Sequence, residues 1–299
     1  MDDLEQFWSD IFSEDAALIA EAWTTLSAGE REAIVGHLRS IVADSDRLPE
    51  QRRAASIALS VVSGKPAPVI LLASGSPRRR KLISLLRLPF ETLPADVDET
   101  PHPGEDPTIM VARLSRAKAE SARATTRPLD HSTTRPPDHP TPRPILLAAD
   151  TTVSLDGEIL AKPADAVDAR SMLMRLRGRS HQVYTAITLI DLETGEQVSD
   201  LATTEVPMRD YSDEEMEAYI ATGDSLDKAG GYAIQHGGFN PVAMMSGCYA
   251  NVVGLPLCHV TRSLRALGVE PSADVPSACQ AHLKYECPVF ESILAGRET

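Results

Sequence analysis

The sequence predicts an α/β domain preceded by an all-α extension. Two short, fully apolar runs, at residues 69–73 and 145–149, have the composition of buried strands. From residue 69 onward, segments of helical spacing alternate with strand and hairpin signals. Before residue 64 the apolar residues recur at helical spacing.

In the extension, Leu4, Phe7, Trp8, Ile11 and Phe12 mark a first helix. Ala33, Ile34, Leu38, Ile41 and Val42 mark a second, which Ser27 and Glu30 start as a capping box. A third apolar run, from Ala54 to Val62, stops at Gly64. No catalytic constellation lies here. Residues 63–68 (SGKPAP) read as a linker, because Gly and Pro stop the helix and the prolines favour an extended path. The extension and linker are therefore assigned to residues 1–67 and the main domain to 68–269.

The main domain opens with the 69–73 strand, followed by helical spacing from Pro77 to Leu88 and a helix from Pro107 to Ala124. Residues 125–144 carry prolines at 128, 136, 137, 140, 142 and 144, a composition that cannot pack and reads as a surface insertion. A second buried strand follows at 145–149. Asp156-Gly157, set between Val153-Ser154-Leu155 and Glu158-Ile159-Leu160, signals a hairpin. A helix over 166–176 ends at Gly178, and strands at 183–190 and 198–206 flank a Thr194-Gly195 turn. Ser212 with Glu215 caps a helix that stops near Gly223, and a last helix spans 257–267. Residues 270–299 read as a loose tail in which 289–294 docks weakly.

Bulk properties narrow the function. At 299 residues the chain can bury a real core. A net charge of -14 opposes binding to a nucleic-acid polymer, and 4% aromatic residues argue against base-stacking platforms. A small anionic substrate remains compatible with a local cationic pocket. No apolar stretch is long enough to span a bilayer, and the acidic start Met1-Asp2-Asp3 does not resemble a signal peptide, so no membrane partner and a cytoplasmic location are expected. Cys248, Cys258, Cys279 and Cys287 lack CxxC spacing; Cys279 and Cys287 flank His282 in a poor zinc pattern, and reduced thiols are expected.

The chemistry concentrates in a few segments. SGSPRRRK at 74–81 lies between a strand and a helix. Ser76 suits the N-cap, Pro77 the first helical position, and Gly75 a close backbone approach. Arg78 and Arg79 offer charge-assisted contacts to an anion, each worth roughly 1.5–3 kcal/mol. A solvated basic turn or an exposed Ser-Pro modification site would carry the same letters. A basic helix start conflicts with the helix dipole, however, and an anion resolves that conflict.

Asp150-Thr151-Thr152 follows the second strand, where open α/β sheets place ligands. Asp150 there can bind Mg²⁺ or activate water, and a turn-forming Asp is the competing reading. Lys162 can reach a phosphate or lie on the surface. Asp96, Asp98 and Glu99 form an acidic loop suited to a metal, and Lys118 is uninformative alone. In DKAGGYAIQ at 227–235, the paired glycines suggest a tight path near a ligand or a plain turn, and Gln235 can read a base edge.

In order, these segments resemble the Maf family of nucleoside triphosphate pyrophosphatases. LLASGSPRR at 71–79, AADTTV at 148–153, ILAKP at 159–163, LRGRSHQVYTA at 176–186, DKAGGYAIQ at 227–235 and VVGLPL at 252–257 carry the resemblance. It implies a Maf/ITPase-like mixed β-sheet with flanking helices and a central cleft. It also implies hydrolysis of a nucleoside triphosphate to the monophosphate and pyrophosphate, dependent on a divalent cation, Mg²⁺ or Mn²⁺. By the same resemblance Asp150 is the general base, Glu99 and Asp150 hold the metal, and Ser74, Ser76, Arg78, Arg79, Lys118 and Lys162 line the triphosphate site. Arg78, Thr151 and Gln235 match the branch that acts on dTTP and UTP. The alternatives are 7-methyl-GTP as substrate, or a nucleotide-binding regulator of cell division with little turnover. A homodimer is a further possibility that the extension suggests. Residues 1–67, the insertion and the tail depart from the family pattern.

Overall fold

A computed structural model describes residues 2–44, 47–63, 68–126, 143–271 and 273–297. Most of the proline-rich insertion and the centre of the 63–68 linker lie outside these residues. The extension holds four helices, α1 (Asp2–Ile11), α2 (Ala16–Thr24), α3 (Ala28–Ala43) and α4 (Pro49–Val62), rather than three. The additional one, α2, is capped by Asp15, whose carboxylate accepts from the Ala17 and Leu18 amides at 2.8 and 3.4 Å. Its apolar face is narrow: Ile19 and Ala22 are buried while Leu18 is 41% exposed, which weakens the helical signal. Ser27 and Glu30 do form a capping box, at the start of α3. Ile11, Ile19, Leu38, Ile41, Ala55 and Ala58 give the extension its own small core.

The main domain is built on a six-stranded mixed sheet, as the sequence resemblance implies. Its strands are β1 (Pro68–Leu72), β2 (Phe90–Thr92), β3 (Arg143–Leu155), β4 (Glu158–Leu160), β5 (Ser180–Asp191) and β6 (Gln197–Pro207). The path runs β2-β1-β3-β5-β6, with β4 on β3. β1 is parallel to β2 and β3, and every other pairing is antiparallel. Turn chemistry follows expectation at Asp156-Gly157, where both residues take positive φ (54° and 84°) and close the β3–β4 hairpin.

β3 decides where the site lies. Residues 145–154 pair with β5 along one edge. On the other edge β1 pairs with 143–147 and β4 with 153–155. Residues 148–152 therefore face a fork in the sheet. This corrects the expectation that a strand ends at Ala149. Asp150 lies inside the strand, paired with Ala186, because β5 keeps the ladder going after β1 has left.

Helices cover both faces. α6 (Pro107–Thr125) packs Ala119 and Ala122 against Leu146 and Ala148. On the opposite face, α5 (Pro77–Ile83) and α10 (Leu257–Ala266) bury Leu82, Val260 and Leu264 against Ile145 and Leu147. Period-two alternation along β3 thus sends Asp150 toward the α6 face and Thr151 toward the other. α5 is shorter than its 77–88 spacing predicts: a 3₁₀ turn over 84–86 tightens its end and Arg87 turns left-handed (φ 54°). α7 (Ala166–Leu176) and α8 (Asp213–Ala221) form a second core with β4 and the far end of β3. A short helix, α9 (Tyr249–Val253), precedes α10.

Over the described residues 273–297, the expected tail is not loose. α11 (Val275–Leu283) and α12 (Phe290–Leu294) dock on the domain, with Ile293 only 4% exposed and the Ile293 carbonyl accepting from Arg262 at 2.8 Å. The signal was faint because few apolar residues carry the docking.

Gly230 and Gly231 both sit at φ 71°, and a Cβ at Gly230 would come within 3.0 Å of Val153 Cγ1. Left-handed strain and overpacking therefore act together on any side chain there. Gly230→Ala should destabilise the protein by about 2 kcal/mol or more by urea denaturation. Gly237→Ala, with open space around its Cβ, should leave the midpoint unchanged, and equal effects would refute this account of the glycine pair.

Candidate active site

The loop after β1 carries the cations into the fork. Ser76 caps α5, its Oγ accepting from the Arg79 amide at 3.4 Å, and Pro77 takes the first helical position. The buried Ser74 Oγ accepts from the Ser76 amide at 3.2 Å, which folds the loop tightly. α5 is only seven residues long, so guanidinium charge outweighs any helix dipole at this site.

The two arginines separate. Arg79 turns inward: its Nε donates to the Gly254 carbonyl at 2.8 Å and its Nη2 to Thr151 Oγ1 at 3.0 Å. A longer contact, 3.5 Å, joins Nη1 to Ser74 Oγ. Of five guanidinium N–H donors this leaves two for a ligand. Burial pulls the Arg79 pKa down, and the nearby Asp150 charge acts in the opposite sense. Arg78 instead points across the cleft, where its Nη1 meets Asp227 Oδ2 at 3.2 Å.

On the α6 face a chain of alternating charge crosses the fork. Lys118 Nζ donates to Asp150 Oδ1 at 2.5 Å and lies 2.6 Å from Glu99 Oε1. Glu99 Oε2 in turn accepts from Lys162 Nζ at 3.0 Å. Lys118 and Asp150 are buried, while Glu99 and Lys162 open toward solvent. Burial pushes the Glu99 carboxyl up, but hydrogen bonds and charge from Lys118, then Lys162, outweigh it and hold the pKa at about 2.

Asp150 and Glu99 converge on one ammonium, so their oxygens form a pair of hard donors suited to Mg²⁺ or Mn²⁺. Among the described residues no three His, Cys, Asp or Glu side chains are grouped as an ion cage. Two carboxylates would supply part of the oxygen shell that a hard cation takes.

The far wall comes from the glycine pair and α9. Ala229, Tyr232, Ala233, Ile234 and Gln235 line it, with Gln235 exposed at the rim. Tyr232 is fixed from behind by the buried His181, whose Nε2 lies 2.8 Å from the phenol oxygen. Burial pulls the His181 pKa down to about 4, so the ring is neutral at neutral pH. The cavity so enclosed measures about 360 Å³, within the range of small-molecule sites.

The ten residues that the family resemblance assigned all border this cavity: Ser74, Ser76, Arg78, Arg79, Glu99, Lys118, Asp150, Thr151, Lys162 and Gln235; Asp96 and Asp98, named with Glu99 as an acidic loop, do not line it. Thr151 is less exposed to a ligand than expected. Its hydroxyl meets Arg79 and, at 2.8 Å, Thr185 Oγ1. Sequence reasoning missed the Gly254 carbonyl, His181 and Thr185. Gly254 takes φ 115° at the end of α9; it lay within the VVGLPL segment of the resemblance but was given no role there.

Fold and site together define an α/β protein with a cation-lined cleft built around one buried carboxylate. The chain belongs to the Maf family: the family model, described as Maf-like protein, matches residues 69–267. It is 42% identical over 199 residues to a protein of Geobacter sp. (strain M21) named dTTP/UTP pyrophosphatase, covering 67% of this chain and 95% of that one. A protein of the same name from Citrifermentans bemidjiense is also 42% identical, with the same coverage. Another from Salinibacter ruber is 43% identical over 198 residues, covering 66% of this chain and 90% of that protein. Residues 1–67 and the segment carrying α11 and α12 lie outside the matched region.

The depressed Glu99 pKa has a defined pH signature. Above the ordinary carboxylate pKa of 4.5, Glu99 is ionised in folded and unfolded chains alike, and its pairing contributes fully. As pH falls from there through about 2, the unfolded chain takes up a proton that the folded one resists, and that contribution is lost. The difference in urea midpoint between wild type and Glu99→Gln should therefore shrink between pH 6 and pH 3. A constant difference would remove Glu99 from the ion-pair chain.

Proposed function

We propose that the protein hydrolyses dTTP and UTP to the monophosphate and pyrophosphate, and so keeps aberrant pyrimidine nucleotides out of nucleic acid. The observation that carries this reading is Asp150: a carboxylate buried at the fork of the sheet, flanked by Lys118, and lining one cavity with Ser74 and Ser76 of the loop and Arg79 of α5. The names of the relatives supply the substrate class. A cytoplasmic location, where triphosphates are made and thiols stay reduced, belongs to the same reading.

In this mechanism the triphosphate lies across residues 148–152. Arg79, the 74–76 loop, Arg78 and Lys162 offset its charge and hold the phosphates in line. Lys118 fixes Asp150 Oδ1, which leaves Oδ2 to orient a water and take its proton as the water attacks the α-phosphorus. The bond from that phosphorus to the bridging oxygen breaks, and pyrophosphate leaves. A divalent cation held by Asp150 and Glu99 would supply further charge neutralisation on the phosphate oxygens.

Base choice falls mainly to Gln235, whose amide can both donate and accept at a pyrimidine edge. Thr151 acts through Arg79, because its hydroxyl is already engaged there. Arg78 acts through its position beside Asp227.

Pyrophosphate release from a panel of triphosphates with Mg²⁺ or Mn²⁺ tests the proposal. Turnover of dTTP and UTP is expected, with a loss of at least ~100-fold for Asp150→Asn. Equal rates for the two proteins would remove Asp150 from its role. Preference for 7-methyl-GTP would overturn the base assignment alone, and nucleotide binding without turnover would favour a regulator. Arg79→Lys, which loses the planar fork, should lower kcat/KM by roughly one to two orders of magnitude.

A further inference from the structure

All four cysteines of the chain line one small crevice, which shares no lining residue with the triphosphate cleft. Cys248 and Cys258 come from the family domain, at the start of α9 and in α10. Cys279 and Cys287 come from the C-terminal segment, which lies beyond the family match. Tertiary packing has thus brought together residues up to 39 positions apart in a chain that gave no pairing signal. The crevice is not a metal cage, because no three such donors are grouped among the described residues. A specific pair stands out instead: Tyr285, bonded to the Gly247 carbonyl at 2.9 Å, sets Cys287 beside the buried Cys248 in this crevice.

The two sulfurs differ in the way a thiol exchange site requires. Cys287 is partly open to solvent and Cys248 is buried. The neighbouring Cys248 thiol pulls Cys287 down to about 6, against burial and with help from the Val289 and Phe290 amides. Cys248 is correspondingly pushed up. One sulfur is accessible and thiolate-prone, and the other waits behind it.

We propose that Cys287 and Cys248 form a thiol-modification site that accepts a low-molecular-weight disulfide and closes to an intramolecular disulfide. The Cys287 thiolate attacks one sulfur of the small disulfide, forming a mixed disulfide and expelling one small thiolate. Cys248 then loses its proton to solvent and attacks the Cys287 sulfur. The bond to the small thiol breaks and a second small thiolate leaves. The small disulfide is reduced to two thiols, and the two cysteines are oxidised to one disulfide.

What closes is a brace on the catalytic domain. Tyr285, two residues before Cys287, donates its hydroxyl to the Met245 and Gly247 carbonyls at 3.0 and 2.9 Å. These lie just before Cys248 and α9, and α9 ends at the Gly254 carbonyl that holds Arg79. The disulfide fastens covalently a contact that the reduced protein holds by hydrogen bonds and packing.

The test treats the full-length reduced protein with oxidised glutathione, blocks remaining thiols by alkylation, and maps the peptides by mass spectrometry. One cross-linked pair containing Cys248 and Cys287 is expected, with Cys258 and Cys279 alkylated and reversal by dithiothreitol. The oxidised protein should unfold several degrees higher than the reduced one, because the cross-link restricts the unfolded chain. Cys287→Ser should abolish both effects. Cys248→Ser should stop at a glutathione adduct on Cys287, and the half-exposed Cys287→Ser remains decisive if the buried variant fails to fold. A stable glutathione adduct on Cys287 in the wild type, a Cys258–Cys279 cross-link, or no protected thiols would each overturn the proposal.

Discussion

The parting of β1 and β4 along one edge of β3 is the constraint on which the rest of the structure depends. A 13-residue strand would ordinarily be paired along both edges, and here β5 alone accompanies its middle. Backbone groups at 148–152 are thereby offered to a ligand from one side while the other side stays rigidly laddered. Alternation then distributes chemistry between the two faces. Asp150 meets the α6 lysine on one, and Thr151 meets the α5 arginine on the other. A ligand at the fork contacts both faces of the sheet at once, which a site at an ordinary strand end does not allow.

Holding so many charges near a fork requires a polar scaffold that is itself satisfied. Thr151 passes from Arg79 to Thr185, and Thr185 donates to the Asn251 carbonyl at 3.3 Å. The Asn251 amide donates to the Val183 carbonyl at 3.0 Å and to Thr204 Oγ1 at 2.9 Å. This buried series ties α9 to β5 and β6, so the Gly254 carbonyl is placed by the sheet rather than by its own loop. The C-terminal helices press on the same element from outside, which joins the segment beyond the family match to the wall of the cleft.

Charge at the site is arranged as a balance. Lys118 sits between two carboxylates, and Glu99 between two lysines. With no ligand, each buried charge is thus compensated locally, which limits the desolvation penalty. Under the proposed function, a polyanion would compete for the same lysines and arginines and free the carboxylates for a cation. An acidic protein can therefore carry a cationic cleft without a basic surface.

How much of this was legible depended on the range of the interactions involved. The caps at Ser27, Ser76 and Ser212 and the Asp156-Gly157 turn rest on local propensity and formed where the letters placed them, while the apolar runs at 69–73 and 145–149 marked β1 and the first part of β3 without fixing where β3 ends. Residues that carry chemistry were legible as segments, because a cation-rich turn after a strand and a carboxylate within apolar neighbours are unusual in themselves. What the letters could not contain was the edge pairing of β3, the Arg79 to Gly254 bond across 175 positions, the ring of His181 behind Tyr232, and the docking of α11 and α12. These depend on which strands share an edge and which helices share a face. Non-local pairing leaves no period in the chain, so the sequence by itself determined the elements and the chemical inventory of the cleft. The tertiary structure alone decided that Asp150 lies inside a strand at an open fork and that four scattered cysteines meet in one crevice.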